Sequence, residues 1–385
     1  MNITIISDVY GISDNGTCVT CKNLALQMLK RGHNVTLVSP FEGENESGIN
    51  YIELPIRQIG GLRFILEKNG VRLAKPIKEK ILQGIKDADV VHLLLGFKTS
   101  RATLPLLKEL KIPFTSAFHS QAENVTSHIG LIHSKCANAY IYRRFKRKFY
   151  KNVHFVHTPS QFCADILKEN GFNNEFCVIS NGFNPNFKKL SNVQKPDYLK
   201  NKFVVLNTGR YCKEKRTKIL IDAIKHSKHE KDIQLILLGQ GPDAKKLKKY
   251  GKKLTNKPIT NYLPFDEFLN TLNYADLYVH PSEIEIEGIS CLEAMACGLP
   301  CIFSDSIASA TRYYAKDDRS LFECNNSRNL AEKIDYLYEH PEDRKELADY
   351  YLEFSKNFEM DKAMEKMEQM FKDAITYYKQ FYKEN

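Results

Sequence analysis

The chain has 385 residues, 43% of them hydrophobic, and carries a formal net charge of +10 at pH 7. A chain of this length exceeds what one hydrophobic core normally supports, so we expect two domains. No stretch approaches the roughly 20 apolar residues that cross a bilayer, and the sequence opens on an apolar strand instead of a secretion signal. We therefore expect a cytoplasmic protein and exclude an integral membrane protein.

Ten cysteines are scattered among apolar neighbours, a pattern typical of reduced thiols in the cytoplasm. Cys18 and Cys21 form a CxxC pair, but a zinc site of this kind needs a second pair of ligands. The sequence contains no second CxxC. We therefore expect no bound metal.

The N-terminal half alternates short apolar strands with helices. MNITIISD is a strand, and a loop and a helix with apolar residues at Val19 and Leu24 follow it. DADVVHLLL at 87–95 and IPFTSAFHS at 112–120 are further strands, each preceded by a helical stretch. This alternation predicts a parallel sheet with helices on both faces. His119 lies at the strand end where such sheets bind ligands, although a histidine there is more commonly structural.

The segment AYIYRRFKRKFYK at 139–151 concentrates positive charge beside an aromatic stripe. As a helix, it places apolar side chains four residues apart with cations on either side. Such a face can bind the headgroup layer of an anionic membrane; the alternative is a core-facing stripe with a solvated edge. Nucleic acid also binds basic patches, but no nucleic-acid motif accompanies this one. The residues predicted to contact the membrane are Arg143, Arg144, Phe145, Arg147, Lys148 and Phe149.

The polar stretch 181–202, rich in Asn, Lys and Pro, separates the two halves of the chain. After it, VVLNTGRYCKEKRTKILIDAI at 204–224 predicts a strand, a turn and an amphipathic helix. The turn contains Arg210 and Lys215, which could neutralise an anion or could be ordinary surface cations. IQLILLGQGPDAKKL then predicts a strand that ends in a Gly-x-Gly turn, a motif that is weak evidence on its own.

The most informative segment is YVHPSEIEIEGISCLEAMACGLP at 278–300. An apolar strand ends at its Pro-Ser pair, a glycine frees the backbone, and helix-forming residues continue until Gly-Leu-Pro. The free N–H groups and the dipole of a helix N-terminus favour an anion such as phosphate. Carboxylates beside it can accept hydrogen bonds from hydroxyl groups. Glu285 and Glu293 in this setting indicate a nucleotide sugar, although two glutamates at this spacing alone would more often be solvated.

These segments resemble the donor site of retaining glycosyltransferase family 4, in which two glutamates bracket seven residues and are followed by Ala-(Met/Leu)-Ala-x-Gly-x-Pro. The Gly-Arg pair with its following lysine and the Gly-x-Gly-Pro element match the family in the same order. The resemblance covers nearly the whole chain and implies the GT-B fold, in which two Rossmann-like α/β domains face a cleft. The implied domains are 1–182, joined by a C-terminal helix at about 362–385, and 183–361.

In that family the first glutamate binds the transferred sugar, the second binds the ribose, and the arginine and lysine stabilise the leaving diphosphate. The resemblance implies catalytic roles for Glu285, His119, Arg210 and Lys215. It implies donor binding by Gly16, Gly209, Arg210, Lys215, Gly239, Gly241, Gly288, Ile289, Ser290 and Glu293. Two departures stand out: Asn15-Gly16 replaces a Gly-Gly pair, and Glu287 replaces an aromatic residue and adds negative charge near the expected diphosphate.

The resemblance implies a retaining transferase that moves a hexose from a nucleotide sugar, UDP-glucose being favoured, to a membrane lipid such as diacylglycerol or to a lipid-linked glycan. The nucleotide sugar is a substrate, and no metal or other cofactor is expected. We expect peripheral binding to the inner face of the cell membrane. Two alternatives stay open: a soluble capsule or exopolysaccharide transferase with another donor, and a non-catalytic subunit that keeps the fold. A sugar 2-epimerase of the same fold lacks the paired glutamates.

Overall fold

The structure is a computed structural model. It describes residues 1–9, 16–40, 46–57, 72–127 and 130–384. Contacts divide the chain into two compact units, of which the first comprises Met1–Asn181 with Asp361–Asn385 and the second comprises Gly182–Met360. These limits lie next to the boundaries proposed from the sequence, after residues 182 and 361. Asn15, which departs from the family's glycine pair, lies outside the described residues.

A parallel sheet forms the centre of the first unit. Its described strands are β1 (Asn2–Ile6), β2 (Asn34–Ser39), β3 (Ile49–Glu53), β4 (Val90–Leu93), β5 (Phe114–Ala117), β6 (Phe155–Thr158) and β7 (Glu175–Val178). They pair in the order β3-β2-β1-β4-β5-β6-β7, and every pairing is parallel. Every residue of β4, β5 and β6 is buried, because helices cover both faces of such a sheet.

The helices of the first unit connect these strands. Before the second unit they are α1 (Gly16–Lys30), α2 (Lys78–Ile85), α3 (Lys98–Glu109), α4 (Ala122–Ser127), α5 (Lys135–Lys148) and α6 (Gln161–Glu169). Asp8, just after β1, accepts hydrogen bonds from the backbone N–H of Thr99 at 2.7 Å and from the hydroxyl of Ser100 at 3.2 Å. The carboxylate therefore satisfies free donors in the first turn of α3 and joins that helix to the central strand.

The second unit repeats the same plan with a smaller sheet. Its described strands are β8 (Phe203–Thr208), β9 (Ile233–Leu238), β10 (Ile259–Asn261), β11 (Leu277–His280), β12 (Cys301–Ser304) and β13 (Leu321–Phe322). Its described helices are α7 (Thr217–His226), α8 (Ala244–Tyr250), α9 (Phe265–Tyr274), α10 (Ile289–Ala296), α11 (Ser327–Glu339) and α12 (Pro341–Ser355). The strand order is β10-β9-β8-β11-β12-β13. The order reverses at β8, and a ligand crevice is expected where the loops after β8 and β11 diverge.

The last helix, α13 (Met360–Glu384), belongs to the first unit. The ring of Phe371 packs edge-on against His92 at 5.5 Å, and Tyr378 stacks on Phe114 at 4.7 Å. Arg31 donates a hydrogen bond to Glu368 at 3.0 Å. Aromatic packing and an ion pair therefore fasten the C-terminal helix to the N-terminal sheet, as the resemblance implied.

Both units are doubly wound α/β layers, which confirms the fold class predicted from the alternation of strands and helices. Within the described ranges, no helix combines the length and the apolar character needed to cross a membrane.

The loops after β8 and β9 touch each other through glycines. The backbone N–H of Tyr211 donates to the carbonyl of Gln240 at 2.7 Å, and Gly241 has a φ of +153°. A Cβ added at Gly241 would lie 2.5 Å from the carbonyl oxygen of Tyr211. A Cβ at Gly239 would meet the carbonyl of Gly209. These glycines permit two loops to pack backbone to backbone, so Gly-x-Gly supports the crevice without itself supplying a chemical group.

We expect Gly241→Ala to lower the free energy of unfolding by about 2 kcal/mol or more, because it adds a backbone clash to an unfavourable φ. Gly16→Ala is the matched control, because nothing lies within 4 Å of a Cβ built at the start of α1. Its melting temperature should stay unchanged or rise. Thermal unfolding measures both, and equal melting temperatures for the two variants would contradict the packing role of Gly241.

Candidate functional site

The candidate site is centred on Glu285, in the loop between β11 and α10. The backbone N–H of Glu285 donates to Ala308 at 3.3 Å, and its carbonyl accepts from Ala310 at 2.8 Å, which fixes the backbone. Its side chain forms an ion pair with Lys215, from the turn after β8. The Nε2 atom of His280, the last residue of β11, lies 2.8 Å from the same carboxylate oxygen. The structure therefore brings Lys215 and Glu285 together at the divergence of β8 and β11.

The charges at this centre depend on one another. Burial raises the pKa of Glu285, but the Lys215 ammonium and the hydrogen bond from His280 outweigh it and hold that pKa at about 2. Burial lowers the pKa of Lys215, and the Glu285 carboxylate more than offsets this, so its net shift is upward. Burial also keeps the pKa of His280 below its usual value despite the carboxylate. At neutral pH the site therefore holds a carboxylate, an ammonium and a neutral imidazole.

The neutral imidazole of His280 has a defined tautomer. An ionised carboxylate can only accept a hydrogen bond, so Nε2 of His280 must carry the proton that it donates to Glu285. Nδ1 is then an acceptor and lies 3.4 Å from the hydroxyl of Tyr278. That hydroxyl also lies 3.1 Å from the hydroxyls of Ser290 and Thr208. The Tyr278 hydroxyl thus lies between Ser290, in the first turn of α10, and His280, which donates to Glu285.

The sequence interpretation missed His280 and a second ion pair beside the site. Glu283, which is 3% exposed, accepts a hydrogen bond from Nε of Arg216 at 2.7 Å. Arg216 directly follows Lys215 in the sequence and has a left-handed backbone with φ +50°. Its side chain forms an ion pair with Glu283 instead of Glu285. The sequence did contain signals for both residues, since His280 ends a predicted strand and Arg216 follows the lysine that matches the family motif. The spacing of these residues does not predict which carboxylate pairs with which cation.

Gly288 gives α10 its entry angle. Its φ of +84° and ψ of +58° are left-handed, and a Cβ there would lie 2.5 Å from Cγ2 of Thr311. The following residues, Ile289 and Ser290, form the first turn of the helix, and a helix start favours an anion. The structure therefore places the predicted donor-binding residues Gly288, Ile289 and Ser290 at a helix start directly after Glu285.

The unusual Glu287 is buried, with 1% of its surface exposed. Burial raises the pKa of the Tyr314 hydroxyl, and the charge of Glu287 is the first of the neighbouring charges that raise it further. The side chain therefore lies in the protein interior near Tyr314. The departure noted in the sequence therefore concerns a buried side chain, which directly precedes Gly288.

Glu293 lies one turn along α10 and differs from Glu285 in its charge. Burial raises the pKa of Glu293 from 4.5 to about 8. A protonated carboxyl can both donate and accept a hydrogen bond, which suits a pair of vicinal hydroxyls. The two glutamates of the motif are thus in different protonation states at neutral pH.

We expect Glu293→Gln to stabilise the protein increasingly as pH rises. The folded state holds the Glu293 proton up to about pH 8, whereas the unfolded chain releases it near 4.5, so the wild type loses stability across that window. The difference in melting temperature, variant minus wild type, should grow between pH 5 and pH 9. A difference that is constant with pH would show that Glu293 is ionised in the folded protein.

Arg210 and Gly209 lie at the end of β8. Gly209 has a φ of +136°, and its N–H donates to the carbonyl of Leu238 at 3.0 Å. Arg210 is half-buried, five positions before Lys215. Its assignment to a diphosphate stays a prediction, as does that of the half-buried Gly209.

His119 lies in the first unit, two residues after β5. Its ring packs edge-on against His157 at 5.3 Å, and His157 lies 6.3 Å from His92. Burial, followed by the charges of the other two histidines, holds the pKa of His119 well below 6.5. Among the described residues, Nε2 of His119 is buried without a hydrogen-bond partner. Its acceptor role stays a prediction, as does donor binding by Gly16, which begins α1.

We expect the three histidines to make the first unit sensitive to acid. Burial lowers the pKa of His92 to about 3 and that of His157 to about 4. The unfolded chain therefore takes up their protons first, near pH 6.5, and stability falls as pH drops from 6.5 towards 4, by about 2 kcal/mol per histidine at pH 5. His92→Gln should flatten this slope in denaturant unfolding. An unchanged slope would contradict the assignment.

The basic helix α5 is only partly as predicted. The prediction that Phe149 contacts a membrane is wrong, because this residue follows the end of the helix and is completely buried. Phe145 is half-buried and packs edge-on against Phe118 at 6.1 Å, and the hydroxyl of buried Tyr142 donates to Glu123 at 2.8 Å. The aromatic stripe therefore faces the core. The remaining predicted residues, Arg143, Arg144, Arg147 and Lys148, are exposed cations.

Within the described ranges, no three His, Cys, Asp or Glu side chains are grouped so that they could hold a metal ion.

Two family models match the chain. The model described as Glycosyltransferase Family 4 matches residues 15–187, and the one described as Glycosyl transferases group 1 matches 189–353. Each match falls almost entirely within one structural unit. Together they take in both the Asn15-Gly16 pair and the paired glutamates.

Similar proteins support the same family. Alpha-monoglucosyldiacylglycerol synthase of Acholeplasma laidlawii is 24% identical over 370 residues, 89% of this chain and 89% of that protein. A GDP-mannose-dependent alpha-mannosyltransferase of Corynebacterium glutamicum is 24% identical over 312 residues, 78% of this chain and 72% of the relative. The crystal structure of Anabaena HepE with UDP and glucose has a TM-score of 0.76 and 18% identity, and covers 97% of this chain and 100% of its own. This last likeness shows a shared fold.

Proposed function

This chain belongs to glycosyltransferase family 4 and has the GT-B fold, and on that premise we propose that it transfers a hexose, with retention of configuration, from UDP-glucose to a membrane lipid such as diacylglycerol or to a lipid-linked glycan. The observation that best supports donor binding in this proposal is the ionised Glu285, which contacts Lys215 and His280 beside the N-terminus of α10.

The donor is proposed to bind along these groups in a fixed order. The diphosphate lies against the first turn of α10 and the cations after β8, because free N–H groups and positive charge both favour it. The Glu285 carboxylate accepts hydrogen bonds from hydroxyls of the sugar. The protonated Glu293 meets the ribose hydroxyls. Metal is not required in this arrangement, because the helix and Lys215 supply the compensating charge.

Lys215 changes partners in this proposal. In the structure its ammonium is paired with Glu285. A diphosphate carries more charge than one carboxylate, so donor binding draws the ammonium towards the phosphate oxygens. The hydrogen bond from His280 then keeps the Glu285 carboxylate oriented. His280 is therefore a positioning residue for the sugar-binding carboxylate.

The reaction needs no nucleophile from the protein. The bond between the sugar C1 and the β-phosphate oxygen breaks, and the leaving diphosphate takes the electron pair. The acceptor hydroxyl oxygen bonds to C1 on the same face, and its proton passes to the departing phosphate oxygen. Lys215 and Arg210 stabilise the charge that develops on that oxygen, and the site contributes by positioning the two substrates.

The proposed acceptor rests on the diacylglycerol-related name of the Acholeplasma relative and on the four exposed cations of α5. These cations favour an anionic bilayer surface by about 1 kcal/mol each, which would hold the protein peripherally on the inner face of the cell membrane. Nucleic acid is not a proposed partner.

We expect Glu285→Gln to reduce transfer of radiolabelled glucose from UDP-glucose to diacylglycerol in vesicles by about 10²–10³-fold, because the sugar loses its charged acceptor. Lys215→Met should reduce transfer comparably and also destabilise the fold by about 3 kcal/mol, because it leaves a buried carboxylate without its cation. Lys213→Met, two residues earlier and exposed, is the matched control and should retain activity.

The double variant Glu285→Gln/Lys215→Met separates stability from function. Removing both charges of a buried pair is neutral or stabilising, so its melting temperature should return to that of the wild type or above while transfer stays lost. If the folded double variant transferred glucose at the wild-type rate, this result would contradict the assigned site. UDP-glucose hydrolysis without acceptor would argue against a non-catalytic subunit.

A second candidate is a soluble glycan transferase with another donor, which the GDP-mannose-dependent relative favours. Parallel assays with GDP-mannose and UDP-glucose, with and without vesicles, distinguish the two. Transfer from GDP-mannose that ignores anionic lipid would replace the lipid proposal.

A further inference from the structure

We propose that the first unit has a second binding site, for a single anionic amphiphile, at the edge of its sheet opposite His119. A cavity of about 560 Å³ lies between the last turns of α13 and the amino-terminal ends of β5 and β6. This volume is within the range of about 300–1,000 Å³ that holds small ligands in proteins. The site does not depend on the glycosyl-transfer proposal.

Aromatic rings form the apolar wall of the cavity. Tyr378 stacks on Phe114 at 4.7 Å, and Tyr377 stacks on His154 at 4.0 Å with the ring planes 5° apart. Phe381 continues the wall and is 42% exposed. Stacked rings keep their positions when a ligand binds. The aromatic wall is therefore preorganised for an acyl chain or another apolar group.

Lysines form the rim. Lys108 donates to the side-chain oxygen of Asn152 at 3.3 Å, Lys146 donates to the carbonyl of Gly171, and Lys151 is exposed beside them. None of the described residues that line the cavity is Asp or Glu. Glu175 is an acid that contacts a lining residue, and its carboxylate lies 3.2 Å from Nε2 of His154. The rim is therefore cationic, which favours an anionic head such as a phosphate monoester.

One polar atom in the cavity is unused. Among the described residues, the hydroxyl of Tyr382 is buried without a hydrogen-bond partner, although Tyr382 lines the cavity. A buried hydroxyl without a partner costs free energy, and a ligand oxygen would relieve it once the Tyr382 ring turns to expose the hydroxyl. Wall, rim and hydroxyl together suit a molecule that is apolar at one end and anionic at the other.

The cavity shares two lysines with the outer face of α5. Lys146 and Lys151 also line a second cavity of about 370 Å³, together with Arg143 and Arg147. An amphiphile in the aromatic cavity would therefore present its head at the edge of the cationic helix face. The apolar wall beside shared cations favours a lipid-like anion over a nucleotide, whose base would need hydrogen-bonding groups along the aromatic wall.

Calorimetric titration of the full chain with dodecyl phosphate below its critical micelle concentration tests the proposal. We expect saturable binding with one molecule per chain, about tenfold or more tighter than for dodecylphosphocholine, because the second head carries no net charge. Lys108→Ser/Lys151→Ser should weaken dodecyl phosphate binding by about tenfold or more. Tyr382→Phe, which keeps the ring, should weaken it by a smaller factor.

Lys30→Ser/Lys86→Ser is the charge-matched control, since both lysines are exposed elsewhere on the same unit, and it should bind like the wild type. Arg143→Ser/Arg147→Ser should reduce binding of the protein to anionic vesicles but leave binding of monomeric dodecyl phosphate unchanged. Equal binding of the two amphiphiles, an unaffected Lys108→Ser/Lys151→Ser variant, or no saturation with dodecyl phosphate would each overturn the site. Because binding is measured without UDP-glucose, these outcomes are independent of transfer activity.

Discussion

The candidate active site depends on keeping one largely buried carboxylate ionised. Burial alone would protonate Glu285, and only the Lys215 ammonium and the His280 hydrogen bond reverse that tendency. Each partner comes from a different strand end, so the loops after β8 and β11 must hold their positions to within hydrogen-bond distance. The left-handed Gly288 and the close contact between the loops after β8 and β9 serve the same requirement.

The two units use burial in opposite ways. In the second unit, buried charges compensate one another, and the site keeps a full carboxylate beside an ammonium. In the first unit, His92, His119 and His157 lie close together and are kept neutral by burial. A buried neutral histidine needs no charged partner, whereas the carboxylate and the ammonium of the second unit stay ionised because they are paired.

Much of this arrangement could be predicted from the sequence, because strand–helix alternation is a local pattern. The motifs that contain the glycines, Lys215 and the two glutamates are also each confined to a short segment. The ion pair of Glu285 with Lys215 joins positions 70 residues apart, and it could not be predicted, because the family resemblance assigned Glu285 to the sugar and Lys215 to the diphosphate. The membrane interpretation of Phe149 was wrong because a stripe at helical spacing looks the same whether it faces a bilayer or a core. The burial of Glu287 could not be predicted either, because its neighbour Tyr314 comes from a distant turn.

A crystal structure of the protein with UDP-glucose tests the central claim most directly. The account predicts that Nζ of Lys215 leaves Glu285 and lies about 3 Å from a diphosphate oxygen, while His280 keeps its hydrogen bond to Glu285. It also predicts that the Glu285 carboxylate contacts a sugar hydroxyl. A complex in which Lys215 stays on Glu285 and the diphosphate is bound away from the first turn of α10 would contradict it.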